Sequence, residues 1–136
     1  MVMMTAVPPG PAAAAEEFVV IVNAANPVTS VGNAQLSSLF LKKITQWGGG
    51  LPAVPVDLGP ESSVRESFSH QVHRKGTSAV KAYWQQMIFS GRDVPPPEKA
   101  SAREVVAFVG ANRGGVGYVP AGTALGSGVK AVGVKP

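Results

Sequence analysis

Residues 57–68, DLGPESSVRESF, contain the end of a strand and the start of a helix. The strand is predicted over residues 53–58, AVPVDL, where Pro55 favours an edge position or a bulge. A Gly-Pro turn follows, and Ser63 and Glu66 then form the S-x-x-E pattern of a capping box. The apolar stripe of the predicted helix consists of Val64, Phe68 and Val72. This order predicts a strand, a tight turn and an amphipathic helix.

Two further elements are predicted upstream. Residues 18–23, FVVIVN, form an apolar run that is typical of a strand buried on both faces. Residues 33–47, NAQLSSLFLKKITQW, predict a helix with Asn33 as its N-cap and two lysines in its last turn. The positive charges of these lysines interact favourably with the negative C-terminal end of the helix dipole. The apolar stripe of that helix consists of Leu36, Leu39, Phe40 and Ile44.

Downstream, a helix is predicted from a Thr77 cap to Ser90, with Gly91 as its C-terminal glycine. Its apolar stripe consists of Val80, Tyr83, Trp84, Met87 and Ile88. Ser101 and Glu104 form a second capping box, and residues 115–119 and 129–134 are predicted strands. Strands that alternate with helices indicate an α/β fold, here with a mixed sheet of four to five strands flanked by helices.

Composition excludes several classes of protein. The 136 residues are 45% hydrophobic and 15% charged, which indicates one globular domain with a real core. The chain has no cysteine, so disulfides and thiolate metal sites are excluded. Its net charge of +4 comes from dispersed lysines and arginines rather than a basic stripe, so no nucleic-acid partner is expected. No apolar run reaches the roughly 20 residues of a transmembrane segment.

The first residues, MVMMTAVPPGPAAAAE, are excluded from the predicted fold. The alanine tract before Glu16 resembles a signal-peptide cleavage site, although no lysine or arginine precedes Lys42. A disordered Pro/Ala leader explains the same composition. Residues 1–16 are therefore predicted to be a disordered leader or the remnant of a signal peptide, and residues 17–136 a single α/β lobe.

Several segments together resemble the phosphate-binding proteins of ABC transporters, in the type II periplasmic binding protein superfamily. The second lobe of that family opens with an apolar strand ending in Asn, as VVIVN does here. A helix with the family pattern L-x-x-I-F-L-G-K-I-T-x-W corresponds to LSSLFLKKITQW, and the G-I-G-Y-V strand corresponds to GVGYV, which contains Tyr118. The resemblance covers about residues 18 to 120. It implies a single lobe of a periplasmic-binding-protein-like fold.

The resemblance also implies an oxyanion site at the turn before the 57–68 helix. The family has a Ser-Gly-Thr turn there, and Ser62, Ser63 and Val64 occupy those positions. An arginine that the family places four residues before the serine falls at Leu58, and the family's other lobe has no counterpart in this chain. The candidate ligand-binding residues are Ser62, Ser63 and Arg65, at a helix start whose N–H groups favour anions. A capped helix start without a ligand is the alternative.

No catalytic residues, metal site or cofactor are expected. His70 and His73 lie three residues apart with no evident third ligand, and the serines lack a nucleophile elbow. Trp47 and Trp84 are predicted to be core residues.

The leading hypothesis is a periplasmic or exported solute-binding-type protein with weak or altered binding of a small oxyanion such as phosphate. The alternative is a protein-interaction or scaffold module. A homodimer, or a second lobe supplied by another chain, could complete the cleft.

Overall fold

The computed structural model describes residues 17–136, so the predicted leader, residues 1–16, lies outside the described residues. The helices are α1 (Asn33–Phe40), α2 (Ser63–Phe68), α3 (Thr77–Phe89) and α4 (Ala102–Ala111), with a π-helix at Ser69–His73 and a 3₁₀ turn at Gly48–Gly50. The strands are β1 (Phe18–Asn23), β2 (Ser30–Gly32), β3 (Val54–Pro55), β4 (Asp57–Leu58), β5 (Glu98–Lys99), β6 (Gly115–Pro120) and β7 (Val129–Lys135).

Five of the strands form one mixed sheet in the order β2-β7-β1-β6-β3. The central strand β1 pairs antiparallel with both β6 and β7, so that Val20 lies opposite Tyr118 on one side and Val132 on the other. The outer strands β2 and β3 pair in parallel with their neighbours, and β4 and β5 form a separate two-stranded sheet. The predicted α/β class and mixed sheet of four to five strands are confirmed, and Pro55 lies in an edge strand, but the predicted strand 53–58 is split into β3 and β4, which belong to different sheets.

A cluster of aromatic rings forms the centre of the main core, which is the large group of buried residues around β1 and β6. The rings of Phe68 and Tyr118 are stacked, with centroids 3.9 Å apart. Phe40 from α1 packs on Phe68 at 4.8 Å, and Phe18 contacts Phe68 edge-on at 5.4 Å. Because these rings come from β1, α1, α2 and β6, the aromatic cluster fixes how the helices sit on the sheet.

Trp47 belongs to the main core and is buried, as predicted. Its indole N–H donates a hydrogen bond of 2.9 Å to the carbonyl oxygen of Gly114. The same oxygen accepts the N–H of Val54, so the backbone of Gly114 approaches the loop before β3 closely. A Cβ atom at Gly114 would overlap the carbonyl oxygen of Pro52, and only glycine fits there.

A second core, consisting of Leu41, Val80 and Trp84, attaches α3 to the rest of the fold. The predicted burial of Trp84 is confirmed. Ile88 was predicted to share its apolar stripe, but 52% of its surface is exposed because it faces a groove rather than the second core. Gly91 has φ +72° at the C-terminus of α3, as its predicted role as the C-terminal glycine requires.

The predicted helix 33–47 is wrong at both ends. Gly32 occupies the N-cap position, because the Asn33 side chain instead donates to the Val72 carbonyl oxygen, at 3.2 Å, in the π-helix. The helix ends at Phe40, and Lys42 adopts a left-handed φ of 60°. Both lysines therefore lie beyond the last turn, and Ile44 is 41% exposed instead of buried.

Candidate functional site

Ser62, not Ser63, caps the helix α2. The Ser62 hydroxyl accepts a hydrogen bond of 3.2 Å from the backbone N–H of Arg65. Ser63 is the first helical residue, and its side chain is exposed. The predicted capping box of Ser63 and Glu66 is wrong, because the Glu66 carboxylate accepts the Thr77 hydroxyl at 2.7 Å and pairs with His70 at 2.6 Å. The α2 start is therefore shifted by one residue from the prediction.

The side chain of Arg65 turns away from the α2 start toward two carboxylates. Its Nη1 donates to the Leu58 carbonyl oxygen at 2.9 Å and to Glu98 Oε2 at 2.7 Å, and its Nη2 lies 4.0 Å from Asp57 Oδ2. Burial lowers the pKa of Arg65, but the Asp57 charge and the Glu98 hydrogen bond outweigh that effect and raise it overall. The structure thus brings Ser62 and Arg65 into one turn, with the arginine charge already compensated.

Asp57 and Tyr118 extend this polar network from Arg65 into the main core. The Tyr118 hydroxyl donates a hydrogen bond of 2.7 Å to Asp57 Oδ1 and accepts one of 3.3 Å from the Leu58 N–H. Burial raises the pKa of Asp57 to about 6, although the Arg65 charge and the Tyr118 hydroxyl oppose the shift. Burial and the Asp57 charge also raise the pKa of Tyr118.

Asp57 and Glu98 were not identified as partners of Arg65 from the sequence. For Asp57 a signal existed, because a carboxylate that ends an otherwise apolar strand must find a partner when it is buried. Glu98 carried no such signal, since it follows a proline run and reaches Arg65 only through the pairing of β5 with β4.

The charges around the α2 start disfavour a tightly bound anion. Arg65 is the single basic residue of α2, while Asp57, Glu61, Glu66 and Glu98 supply four carboxyl groups at or near it. The Ser62 hydroxyl already accepts a backbone N–H, and α2 is only six residues long. The arrangement can offer hydroxyl and N–H donors to an anion, but little net positive charge.

The two histidines do not form a joint site. His73 Nδ1 forms a hydrogen bond of 2.7 Å with the Ser37 hydroxyl, whereas His70 pairs with Glu66. Burial lowers the pKa of His73 to about 4, with further lowering by neighbouring lysines and Arg65. Within residues 17–136, no group of three or more potential metal-ligating side chains occurs. No helix in the same range is long and apolar enough to cross a membrane.

Comparison with known proteins places the fold. A family model described as the PBP superfamily domain matches residues 12–135, a range that begins within the predicted leader. No curated protein sequence matches the chain significantly. An ABC-type phosphate transport receptor from Vibrio cholerae is 24% identical with a TM-score of 0.67, and the match covers 86% of this chain and 45% of the receptor.

Two further solved structures agree. A possible phosphate binding protein from Planctomyces limnophilus is 18% identical, with a TM-score of 0.63 over 86% of this chain and 40% of its own. PstS from Borrelia burgdorferi is 14% identical, with a TM-score of 0.60 over 86% of this chain and 46% of its own. The chain therefore spans less than half the length of these structures, and its fold corresponds to a single lobe.

Proposed function

The chain belongs to the PBP superfamily domain family, and from that premise we propose that it is a periplasmic or exported solute-binding-type protein with weak binding of a small oxyanion. The observation that carries the proposal is the start of α2, where Ser62 Oγ accepts the backbone N–H of Arg65 and the first-turn N–H groups are directed toward the same turn. This turn follows β4, where the resembling family has its Ser-Gly-Thr ligand turn. Solved proteins with the same fold are named as phosphate receptors or phosphate-binding proteins, which supports a phosphate-like ligand and a role other than catalysis.

The affinity is expected to be low for two physical reasons. A helix N-terminus contributes about 1–2 kcal/mol to a bound anion, whereas a dissociation constant of 1 μM requires about 8 kcal/mol. The positive charge of Arg65 could supply part of the missing binding free energy, but its guanidinium is already hydrogen-bonded to Glu98 and the Leu58 carbonyl group. A second lobe from another chain, or from a second copy of this one, would be needed to enclose the ligand and supply the missing donors.

Calorimetric titration with phosphate tests this proposal. We expect a dissociation constant in the range of about 1 mM or weaker, with a further loss in Ser62→Ala. Ser101→Ala is the matched control, because Ser101 caps α4 in the same manner, by accepting the N–H of Glu104 at 3.2 Å. A dissociation constant of about 1 μM, abolished in Ser62→Ala but not in Ser101→Ala, would show a strong site instead of a weak one. Phosphate binding that is unchanged in Ser62→Ala would remove the α2 start from the proposal.

A second candidate function is a protein-interaction or scaffold module that keeps the fold without solute binding. Three apolar side chains at and beyond the end of α3 favour it, since Phe89 is 89%, Val94 59% and Ile88 52% exposed. Exposed apolar side chains that lie together commonly mark an interface, and Ile88 and Val94 line the same shallow surface pocket. Sedimentation of the wild type and of Phe89→Ser separates the two candidates. A dimer that dissociates in Phe89→Ser, together with no phosphate binding, would favour the module.

A further inference from the structure

A groove of about 440 Å³ runs along α3, apart from the Ser62 hydroxyl. One face of α3 lines it, with Ser78, Lys81, Gln85 and Ile88 following one another at helical spacing, and Trp84 lies at its base. The volume lies within the range of about 300–1,000 Å³ that is typical of small-molecule sites. The groove is thus large enough for a ligand with more than one functional group.

The opposite wall of the groove is held by the polar network. Pro60, Arg65, Pro95 and Glu98 form this wall. The ion pair of 2.7 Å between Arg65 and Glu98 ties α2 to β5, and the two proline rings restrict the backbone on either side of it. The wall is therefore formed before any ligand arrives, which lowers the ordering free energy that binding requires.

Charge and apolarity in the groove select the kind of ligand. Lys81 is exposed, and among residues 17–136 no ion pair joins it to a carboxylate, whereas Arg65 is paired with Glu98 and Asp57. The groove therefore has one cation available for a ligand. Ile88 and the proline rings offer apolar surface beside it. A polyvalent anion would face the Glu98 carboxylate, whereas a single negative charge with an apolar body satisfies both features.

We propose that this groove binds a small amphipathic carboxylate, with its carboxylate on Lys81 and its apolar chain or ring against Ile88 and Trp84. This goes beyond oxyanion binding at the start of α2, because the groove uses different donors and an apolar surface. Gln85 and Ser78 lie on the same face of α3 as Lys81 and can hydrogen-bond the carboxylate oxygens that Lys81 does not contact.

Octanoate is a suitable probe, with the neutral 1-octanol as its matched control. Titration by calorimetry and by tryptophan fluorescence is expected to show saturable octanoate binding and about tenfold or more weaker binding of 1-octanol. Lys81→Gln should weaken octanoate by about tenfold or more, which is the loss of one charge-assisted hydrogen bond. Lys75→Gln should change nothing, because Lys75 is an exposed lysine that is not among the groove's lining residues.

A second pair of variants, at Ile88 and Phe89, tests the apolar part of the proposal. Ile88 lines the groove, whereas its neighbour Phe89 is more exposed and does not line it. Ile88→Ser should weaken octanoate, and Phe89→Ser should leave it unchanged. All four substitutions replace exposed side chains, so melting curves are expected to match the wild type and to exclude misfolding as the cause.

Three results would overturn the proposal. They are no saturable octanoate signal up to about 5 mM, equal binding of 1-octanol, and an equal loss in Phe89→Ser and Ile88→Ser. The last would show apolar association with the exposed surface rather than the groove. Phosphate titration of Lys81→Gln keeps the two proposals apart, because the groove proposal predicts an unchanged phosphate isotherm whether or not the α2 start binds phosphate.

Discussion

The main core and the second core differ in which elements they join and in how many buried residues join them. The main core joins the five-stranded sheet to α1, α2 and α4 through twenty buried residues, so its loss unfolds the whole chain. Among the described residues 17–136, the second core holds the long helix α3 through three buried residues, Leu41, Val80 and Trp84. A helix with few buried contacts opens at lower free energy than the sheet beside it. The groove proposed for a carboxylate and the exposed apolar side chains of Ile88 and Phe89 both lie on that less firmly held helix, whereas the proposed oxyanion site at Ser62 lies on α2.

The largest expected effect lies in the main core, at Gly114. Gly114→Ala should destabilise the protein by about 3 kcal/mol or more, since the new Cβ overlaps the backbone of Pro52 and no rotamer change can relieve the overlap. Chemical denaturation measures the loss. Gly133→Ala is the matched control in β7, because a Cβ there meets nothing within 4 Å. If both variants unfold at the same denaturant concentration, the backbone around Gly114 can shift to accept a Cβ atom without loss of stability, and the main core is less rigid than its close packing indicates.

The two tryptophans test the comparison between the cores directly. Trp47→Ala should lower the global free energy of unfolding by about 3–5 kcal/mol, because Trp47 belongs to the main core. Trp84→Ala should act mainly on α3, so native-state hydrogen exchange should show loss of protection in α3 while β1 and β6 remain protected. Equal loss of protection in β1 for both variants would mean that the two cores unfold as one unit.

A pH-dependent effect is expected at the boundary between the cores, where Asp57 and His73 line one small cavity with Trp84 and Phe40. The pKa of Asp57 is raised from 3.8 to about 6, so its contribution is present below the unfolded value and is lost as pH rises toward 6. The pKa of His73 is lowered from 6.5 to about 4, so its contribution is present above 6.5 and is lost as pH falls toward 4. The two slopes oppose each other between pH 4 and pH 6.

Single substitutions should separate these opposing slopes. Asp57→Asn leaves the His73 slope, so the free energy of unfolding should rise by about 3 kcal/mol between pH 4 and pH 6.5. His73→Gln leaves the Asp57 slope, and stability should then fall by a similar amount as pH rises from 4 to 6. Urea denaturation across this pH range provides the measurement. If both variants kept the wild-type pH profile, neither Asp57 nor His73 would contribute to the pH dependence of stability in this range.

Local patterns in the sequence were enough to predict much of the fold. The apolar run 18–23 forms the expected strand, and Ser101 caps α4 as predicted, although Glu104 Oε1 accepts the N–H of Ala100, at 3.4 Å, rather than that of Ser101. The same pattern failed at Ser63 and Glu66, because Thr77 and His70 are closer partners for that carboxylate. A local motif is thus overridden by Thr77, eleven residues away, together with His70 in the next turn.

The candidate site was less predictable than the fold for the same reason. The sequence indicates that Ser62 and Arg65 occupy one helix turn, but the direction of the Arg65 side chain depends on Glu98, thirty-three residues away. The groove along α3 was not predicted either, since Ile88 was assigned to a buried stripe. Periodicity identifies one apolar face of α3, but it does not show that the second core covers only part of it.

The smallest expected effect concerns the cap of α2. Ser62→Ala should destabilise the protein by about 0.5–2 kcal/mol, because the Arg65 N–H then loses its partner at a half-buried helix start. Ser101→Ala should lose a similar amount at α4, which has the same type of cap. Ser63→Ala should change stability less than either, since Ser63 is exposed and lies one residue inside the helix.

The order of these three variants in thermal melts decides which serine shapes the α2 start. A larger loss in Ser63→Ala than in Ser62→Ala would restore the capping box of Ser63 and Glu66 and would show that Ser62 is not the residue that caps α2. The observed geometry predicts the opposite order, with the Ser62 oxygen accepting the Arg65 N–H while its own O–H can still donate to phosphate.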